Sequence, residues 1–251
     1  MPMLLPLAGG FPPGPQSFPT DPFRYLLQAA VALVVAIVFW VVLARRLKVV
    51  PTKGQFIGES IYDLVRNGIA RDTIGPDFVK FLPLLLGLFS FVLINNLFGI
   101  FPLTLLPTFG HVGWAYGLAI MVWVVYNAVG IRKHGVFGYI KHTTLPGGVP
   151  GWMWPIIIPL EFISNIVFRP LTLALRLFGN MFSGHLLVLV FVLGGELLLV
   201  EGAGALKIAG AGSLLFSLAI FGLEAFVQCL QAFIFTILTA VYIQSALADE
   251  H

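Results

Sequence analysis

The sequence predicts an all-α, polytopic membrane protein, and two observations support that fold class. Hydrophobic residues make up 59% of the 251 residues, charged residues only 10%, and the mean hydropathy is +0.98. A soluble chain carries about 25% charged residues, so these few charges could not cover a globular surface. Several apolar runs also reach the roughly 20 helical residues that cross a bilayer core. We expect one membrane domain over 24–251, with about five membrane helices and one interfacial amphipathic helix.

The first 23 residues are predicted to form an irregular tail outside the membrane. They contain seven prolines and no basic cluster ahead of an apolar core. They therefore do not have the pattern of a cleaved signal peptide.

Five apolar runs are predicted to cross the membrane. Three fit a single crossing each, over 25–43, 81–101 and 112–131. Straight helices over the other two, 151–200 and 208–247, would be about 75 and 60 Å long at 1.5 Å per residue. Because a bilayer core is only about 30 Å thick, each long run must be broken, doubled back or steeply tilted.

The basic residues predict the orientation of the chain. Seven lie between the first two runs and three follow the third run, whereas the opposite loops carry two. This imbalance is the positive-inside pattern, in which basic loops stay in the cytoplasm. We expect the N-terminus outside and, with five net crossings, the C-terminus in the cytoplasm. A second crossing within either long run would move the C-terminus outside.

The segment 54–72 differs from its apolar surroundings. Its hydrophobic and its charged residues recur at helical spacing, which is typical of an amphipathic helix. Such a helix fits the cytoplasmic membrane interface, and a loop helix packed on protein without lipid contact would give the same pattern. The apolar set is Phe56, Ile57, Ile61, Leu64, Val65 and Ile69.

Six ionisable residues lie inside the two long runs. A charge at bilayer depth costs at least about 2.5–3.5 kcal/mol on insertion scales and usually marks an ion pathway. Their confinement to two of five runs indicates a functional cluster rather than an accident. The six are Glu161, Arg169, Arg176, His185, Glu196 and Glu224, and they are accompanied by Asn165, Asn180, Gln228 and Gln231.

Helical geometry separates these residues into two faces of the first long run. At about 100° per residue, Arg169, Arg176 and Asn180 fall within about 40° of one another. His185 points about 180° away from Arg176, and Glu196 returns to within about 20° of His185. One helix is therefore predicted to present a cationic face and a separate titratable face.

The last run has its own polar stripe. Glu224, Gln228 and Gln231 fall within about 40° of one another on a helix. If this helix packs antiparallel against the preceding one, His185 and Glu224 are candidates for a proton-exchanging pair. The plainer alternatives are a hydrogen-bonded interior histidine and glutamates, Glu196 among them, at a water-filled mouth.

Arg176 is the residue that most requires a partner. An arginine keeps its proton in proteins, so its expected role is to attract a carboxylate and hold it ionised. The nearest carboxylate in its own run, Glu161, is about 22 Å away along a helix. The partner is therefore Glu224 or an acid of another subunit. Arg169, by contrast, is expected to extend to the cytoplasmic interface.

At this level of detail the chain resembles subunit a of F-type ATP synthases, the stator part of the proton path. The resemblance rests on LTLALRLFGNMFSGHLL at 171–187, LEAFVQCLQAFIFTILTAVYI at 223–243, and NNLFGIFP at 95–102. The order of tail, first span, basic segment and two long C-terminal helices is also similar. The resemblance implies that the helical hairpin over 155–247 is steeply tilted and curves around a rotating ring of c subunits.

The resemblance also implies roles for individual residues. Arg176 corresponds to the essential stator arginine of the family, Asn180 to the polar residue one turn beyond it, and Gln231 to the glutamine near that arginine. His185 and Glu224 correspond to the interacting pair of the outside half-channel, with the histidine and the acid exchanged between helices relative to many bacterial members. The pairing is expected to survive this exchange.

Three further residues, Gln228, Glu196 and Glu161, complete the candidate proton-translocation set. Some family members carry an acid where this chain has Gly99, so no inlet role is transferred to that position.

The implied mechanism uses two half-channels that open to opposite sides and do not meet. Protons neutralise a carboxylate of the c ring, travel with it through lipid, and leave when Arg176 forces that carboxylate to ionise. The implied partners are the c ring, the peripheral-stalk b subunits and the lipid bilayer of a bacterial plasma (inner) membrane, with no nucleic acid.

The chain itself is expected to be non-catalytic, with no cofactor and no metal. It contains no GxxxxGK[ST] loop and only one cysteine, Cys229. ATP chemistry would then occur on other subunits. Two other classes stay open: a stand-alone ion channel or secondary transporter, which would need its own counter-charge to Arg176, and a purely structural membrane scaffold.

Overall fold

The computed structural model describes residues 22–45, 48–100, 108–144 and 153–248. The described part is helical and contains no strand. Five of its helices are long and apolar enough to cross a membrane, which confirms the predicted fold class. Most of the predicted N-terminal tail and the end of the NNLFGIFP motif lie outside the described residues. The main helices are α1 (Pro22–Arg45), α2 (Lys53–Asp63), α3 (Phe78–Ile100), α4 (Val112–Thr144), α5 (Trp154–Val200) and α6 (Ala205–Leu247).

The apolar residues of the amphipathic segment differ in burial, and its place on the cytoplasmic interface stays a prediction. Val65 and Ile69 are fully buried in the protein core, whereas Phe56 and Ile57 are more than half exposed. Phe56 and Val65 are nine residues apart and therefore point about 180° apart even on a regular helix; from Leu64 to Arg71 the chain continues as a π-helix. The second half of the segment is therefore packed on protein, and the first half keeps an exposed apolar surface.

α4 continues beyond the predicted crossing and then reverses direction. Gly135 has a φ of 72°, a left-handed conformation in which glycine avoids the steric penalty of a side chain. After this turn the ring of Tyr139 occupies the place where a Cβ on Gly130 would lie, and its hydroxyl donates to Asn127 Oδ1 at 2.9 Å. Residues 136–144 thus fold back along the helix that precedes them.

The two long runs form an antiparallel hairpin, and neither doubles back within itself. α5 is continuous except for a π-helical turn over Ser164–Phe168, and Gly204, with a φ of 56°, lies in the turn before α6. The helices approach closely at two glycines, because a Cβ on Gly210 would lie 2.9 Å from the carbonyl oxygen of Gly195. α5 and α6 are about 70 and 65 Å long. Helices of this length and apolarity can remain within a bilayer only if they are tilted.

The core lies between α3, α4 and the middle of the α5–α6 hairpin. Its fully buried members include Leu85, Val92, Leu177, Met181 and Phe235. Many other large apolar side chains are exposed on the outer faces of the helices, as expected where the solvent is lipid rather than water. The candidate site residues lie along the hairpin beside this core.

Candidate functional site

A histidine and a glutamate meet between the two hairpin helices. His185 Nδ1 on α5 lies 2.7 Å from Glu224 Oε1 on α6, although Oε1 accepts no hydrogen bond of good geometry. We therefore describe the contact as a close electrostatic pair. The Glu224 side chain is only 5% exposed, and that of His185 is 25% exposed. The hairpin thus brings together the two residues that the sequence nominated as a pair.

Backbone carbonyl groups constrain which nitrogen of the His185 ring carries hydrogen. His185 Nε2 lies 2.9 Å from the carbonyl oxygen of Gly99 at the end of α3. A carbonyl oxygen can only accept, so Nε2 keeps its hydrogen. Nδ1 faces two further acceptors, Glu224 Oε1 and, at 3.1 Å, the carbonyl oxygen of Met181. The exchangeable proton therefore belongs to the Nδ1–Oε1 contact.

Gly184 makes room for the Glu224 carboxyl group. A Cβ at position 184 would lie 2.8 Å from Glu224 Oε1 and 2.9 Å from its Cδ and Cγ. Any side chain there would push the carboxyl group away from its present place. Gly184 is thus a positioning residue for the pair.

A second polar contact joins the hairpin helices closer to Arg176. Asn180 Nδ2 donates to Gln231 Oε1 at 2.7 Å. Gln231 and Gln228 are fully buried, and Gln231 Nε2 and both side-chain polar atoms of Gln228 have no hydrogen-bond partner among the described residues. The polar stripe of α6 therefore faces the interior of the chain. Its unpaired amides are suited to bind ordered water between the two helices.

Arg176 lies one helical turn before Asn180 on α5. Its side chain is exposed, whereas its neighbours Leu173 and Leu177 are buried. Across the described ranges, no acid forms an ion pair with Arg176. The possibility that Glu224 serves as its partner is not realised, because the carboxyl group of Glu224 contacts His185 instead.

Glu161 belongs to a hydrogen-bond network at the other end of the hairpin. Asn165 Nδ2 donates to Glu161 Oε2 at 3.1 Å and to the carbonyl oxygen of Thr143 at 3.0 Å. The Tyr126 hydroxyl donates to the carbonyl oxygen of Asn165 at 3.1 Å. That carbonyl lies in the π-helical turn, where the usual helical hydrogen bonding is interrupted.

The remaining two nominated residues are not in a shared cluster. Glu196 is exposed on α5 near the tip of the hairpin. The Arg169 guanidinium lies 5.2 Å from the centre of the Tyr242 ring, so it packs on α6 by a cation–π contact. Arg169 is therefore held against α6, and its extension to the cytoplasmic interface stays a prediction.

Besides Gly184, two contributors to the site escaped the sequence analysis. The Gly99 carbonyl is a backbone group, so no side-chain pattern could reveal that it fixes the histidine tautomer. Asn96, whose side chain donates to the carbonyl oxygen of Gln228 at 3.0 Å, did have a signal, since NN interrupts an apolar run. Among the described residues no group of three or more His, Cys, Asp or Glu could hold a metal ion.

Comparison with known proteins gives a consistent result over most of the chain. A family model described as ATP synthase A chain matches residues 26–244. Among similar proteins, ATP synthase subunit a of Nocardioides sp. (strain ATCC BAA-499 / JS614) is 49% identical over 236 residues, covering 94% of this chain and 86% of that protein. ATP synthase subunit a of Streptomyces lividans is 36% identical over 256 residues, covering 96% of this chain and 90% of that protein.

Proposed function

The chain belongs to the family of ATP synthase subunit a, the non-catalytic proton-channel subunit of the membrane sector, and from that premise we propose how its residues move protons. Two half-channels open to opposite sides of a multi-pass membrane domain. They meet a rotating c ring at different depths, and Arg176 separates them. Proton flow through this path turns the ring and drives ATP synthesis on other subunits.

The exposed, unpaired guanidinium of Arg176 is the observation that supports this proposal most strongly. A permanent cation on an apolar surface is costly unless an anion approaches it. An ionised carboxylate of the c ring would supply that anion at each step of rotation. Because the arginine stabilises the ionised form, an arriving protonated carboxyl group releases its proton there, and a direct proton leak between the channels is opposed.

The His185–Glu224 pair supports an inlet on the outside. One proton can shift between Nδ1 and Oε1 while Gly99 holds the ring in place. From this pair the buried amides of Gln228 and Gln231 lead towards Asn180 and the exposed face of α5. These groups can order the water molecules that carry a proton from the pair to the ring.

The Glu161–Asn165 network supports an outlet at the opposite end of the hairpin. It lies in the part of α5 that precedes Arg176, fifteen residues from it. The exposed carboxylate of Glu196, near the hairpin tip, would attract protons to the outer surface. These two assignments extend the proton path to both membrane faces.

The orientation we propose places the N-terminus outside and the C-terminus in the cytoplasm of a bacterial plasma membrane. The end of α6 supports it, because Lys133 at the basic end of α4 donates to the carbonyl oxygen of Leu247. The end of α6 at Leu247 therefore lies beside Lys133, one of the basic residues that the proposed orientation places on the cytoplasmic side. Residues 24–251 act as one membrane domain, with the c ring and the b subunits of the complex as its partners.

Reconstitution with and without the ring tests this function against a stand-alone channel. The chain alone in liposomes should move no protons above empty liposomes, and it should acquire proton flux only when the c ring is added. Proton uptake would be followed with a pH-sensitive dye under an imposed potential. Ring-independent flux comparable to that of the assembled sector would contradict the proposal and favour a transporter.

A further inference from the structure

A cavity of about 130 Å³ lies beside the His185–Glu224 pair. It lies at the end of the bundle where α1 and α4 begin, and it is lined by Tyr25, His111 and His185 together with apolar side chains. A volume of this size has room for several water molecules. His111 immediately precedes α4 and has no role in the proton path described above.

Two buried polar atoms next to this cavity have no partner in the described part of the chain. They are His111 Nε2 and the Tyr25 hydroxyl oxygen. The two rings are in edge-to-face contact, with centroids 4.4 Å apart. Since buried polar groups nearly always find a hydrogen bond, water within the cavity is their expected partner.

We propose that His111 is a proton-relay residue at the outer entrance of the inlet, and this inference rests on the proposed function. A proton from external water binds to Nδ1 of His111, and the imidazolium then releases its Nε2 proton to a cavity water molecule. That water passes a proton to the His185–Glu224 pair, so one proton enters for each proton delivered. Imidazole suits this task because it exchanges protons in the physiological pH range.

The groups that face His111 are compatible with a relay. Tyr25 comes from α1, His185 from α5, and Glu224 lies behind His185 on α6. The phenol can orient water, whereas the glutamate attracts protons inward. The absence of a hydrogen bond at the buried Nε2 of His111 in the described part of the chain leaves that atom available to water.

His111→Gln in the assembled complex tests the relay, because it keeps a polar side chain but removes the titratable ring. Proton-driven ATP synthesis should fall about tenfold at an external pH of about 8 and much less at about pH 6, where protons are more abundant. His134→Gln, at the opposite end of α4, is the matched control and should keep the wild-type pH profile. Added imidazole should restore synthesis in His111→Ala.

Two outcomes would overturn the relay. One is a wild-type pH profile for His111→Gln, and the other is an equal loss at every pH together with poor assembly and no imidazole rescue. Arg176→Ala, measured in the same vesicles, separates this inference from the proposed function. Loss of synthesis in Arg176→Ala beside an unaffected His111→Gln rejects only the relay, whereas retained synthesis in Arg176→Ala rejects the proposed function itself.

Discussion

The His185–Glu224 pair and Arg176 lie on the same hairpin but are built in opposite ways. The pair is enclosed, with contacts from the end of α3 as well as from both hairpin helices. Arg176 is exposed, and its chain supplies no acid to it within the described ranges. A proton-exchange site whose groups stay fixed can be completed within one polypeptide. A site that must act on a moving carboxylate has to be left open for the subunit that carries it.

The largest effect is expected when the exposed guanidinium of Arg176 is removed. Arg176→Ala should lower proton-driven ATP synthesis by about 100-fold or more, because a preorganised charge is lost where charge develops. Passive proton leak through the sector should rise. Synthesis in membrane vesicles and dye-monitored leak would measure both effects.

Arg169→Gln is the matched control for this change. It removes the same type of charge seven residues earlier, where the guanidinium packs on Tyr242. A loss of only a few-fold is expected. Equal effects of the two substitutions, or normal synthesis in Arg176→Ala, would favour a structural scaffold over a stator.

The His185–Glu224 pair should be sensitive to the loss of a titratable group, but it should tolerate an exchange of the two residues between the helices. Glu224→Gln removes the proton acceptor while keeping its size and should lower synthesis about 10- to 100-fold. The double exchange His185→Glu with Glu224→His should be more active than either single change, because one histidine and one acid remain in contact. It should stay below wild type, since a histidine on α6 loses the Gly99 carbonyl. A double exchange no better than the worse single change would argue against a functional pair.

Displacing the carboxyl group of Glu224 should have a smaller effect on proton transport than removing it. Gly184→Ala places a Cβ within 2.9 Å of Glu224, so the carboxyl group must move away from its histidine. A several-fold fall in ATP-driven proton pumping with normal assembly is expected, because misplaced reacting groups exchange protons more slowly. Gly194→Ala on the same helix, with open space at its Cβ, should pump normally. Comparable pumping by the two variants would show that the close approach is unimportant.

The smallest effect is expected at the opposite end of the hairpin. Tyr126→Phe removes the donor to the π-helical carbonyl of Asn165 and should reduce stability by about 1 kcal/mol. Thermal unfolding of the purified sector would detect it as a modestly lower midpoint, with little change in proton transport. Tyr116→Phe on the same helix should leave the midpoint unchanged. A large loss of proton transport in Tyr126→Phe would mean that this end of the hairpin takes part in transport and does not only stabilise the fold.

Helical periodicity predicted part of the geometry of the candidate site. The angle between Arg176 and His185 separated the exposed cation from the titratable face, and the offset of Glu224 from Gln231 indicated a stripe on the next helix. These inferences work because a side chain's direction on a regular helix follows from its position. The five membrane helices followed from composition and length.

Features that depend on irregular backbone were not predictable in the same way. A π-helix replaces the regular α-helix over Leu64–Arg71, and the turn at Gly135 folds Tyr139 back onto Gly130. The Gly99 carbonyl reaches His185 only through tertiary packing. Each of these needs a deviation from ideal geometry or a contact distant in sequence, which a periodic pattern does not encode.

Cysteine cross-linking tests most directly whether the anion that pairs with Arg176 comes from the c ring. A cysteine at position 176, with Cys229→Ser to remove the native thiol, would be paired with a cysteine next to the ring carboxylate in the assembled sector. We predict a rapid disulfide cross-link from position 176 and none from position 173, where Leu173 is buried against the core. Absence of the cross-link at 176, or equal yields from both positions, would contradict the account.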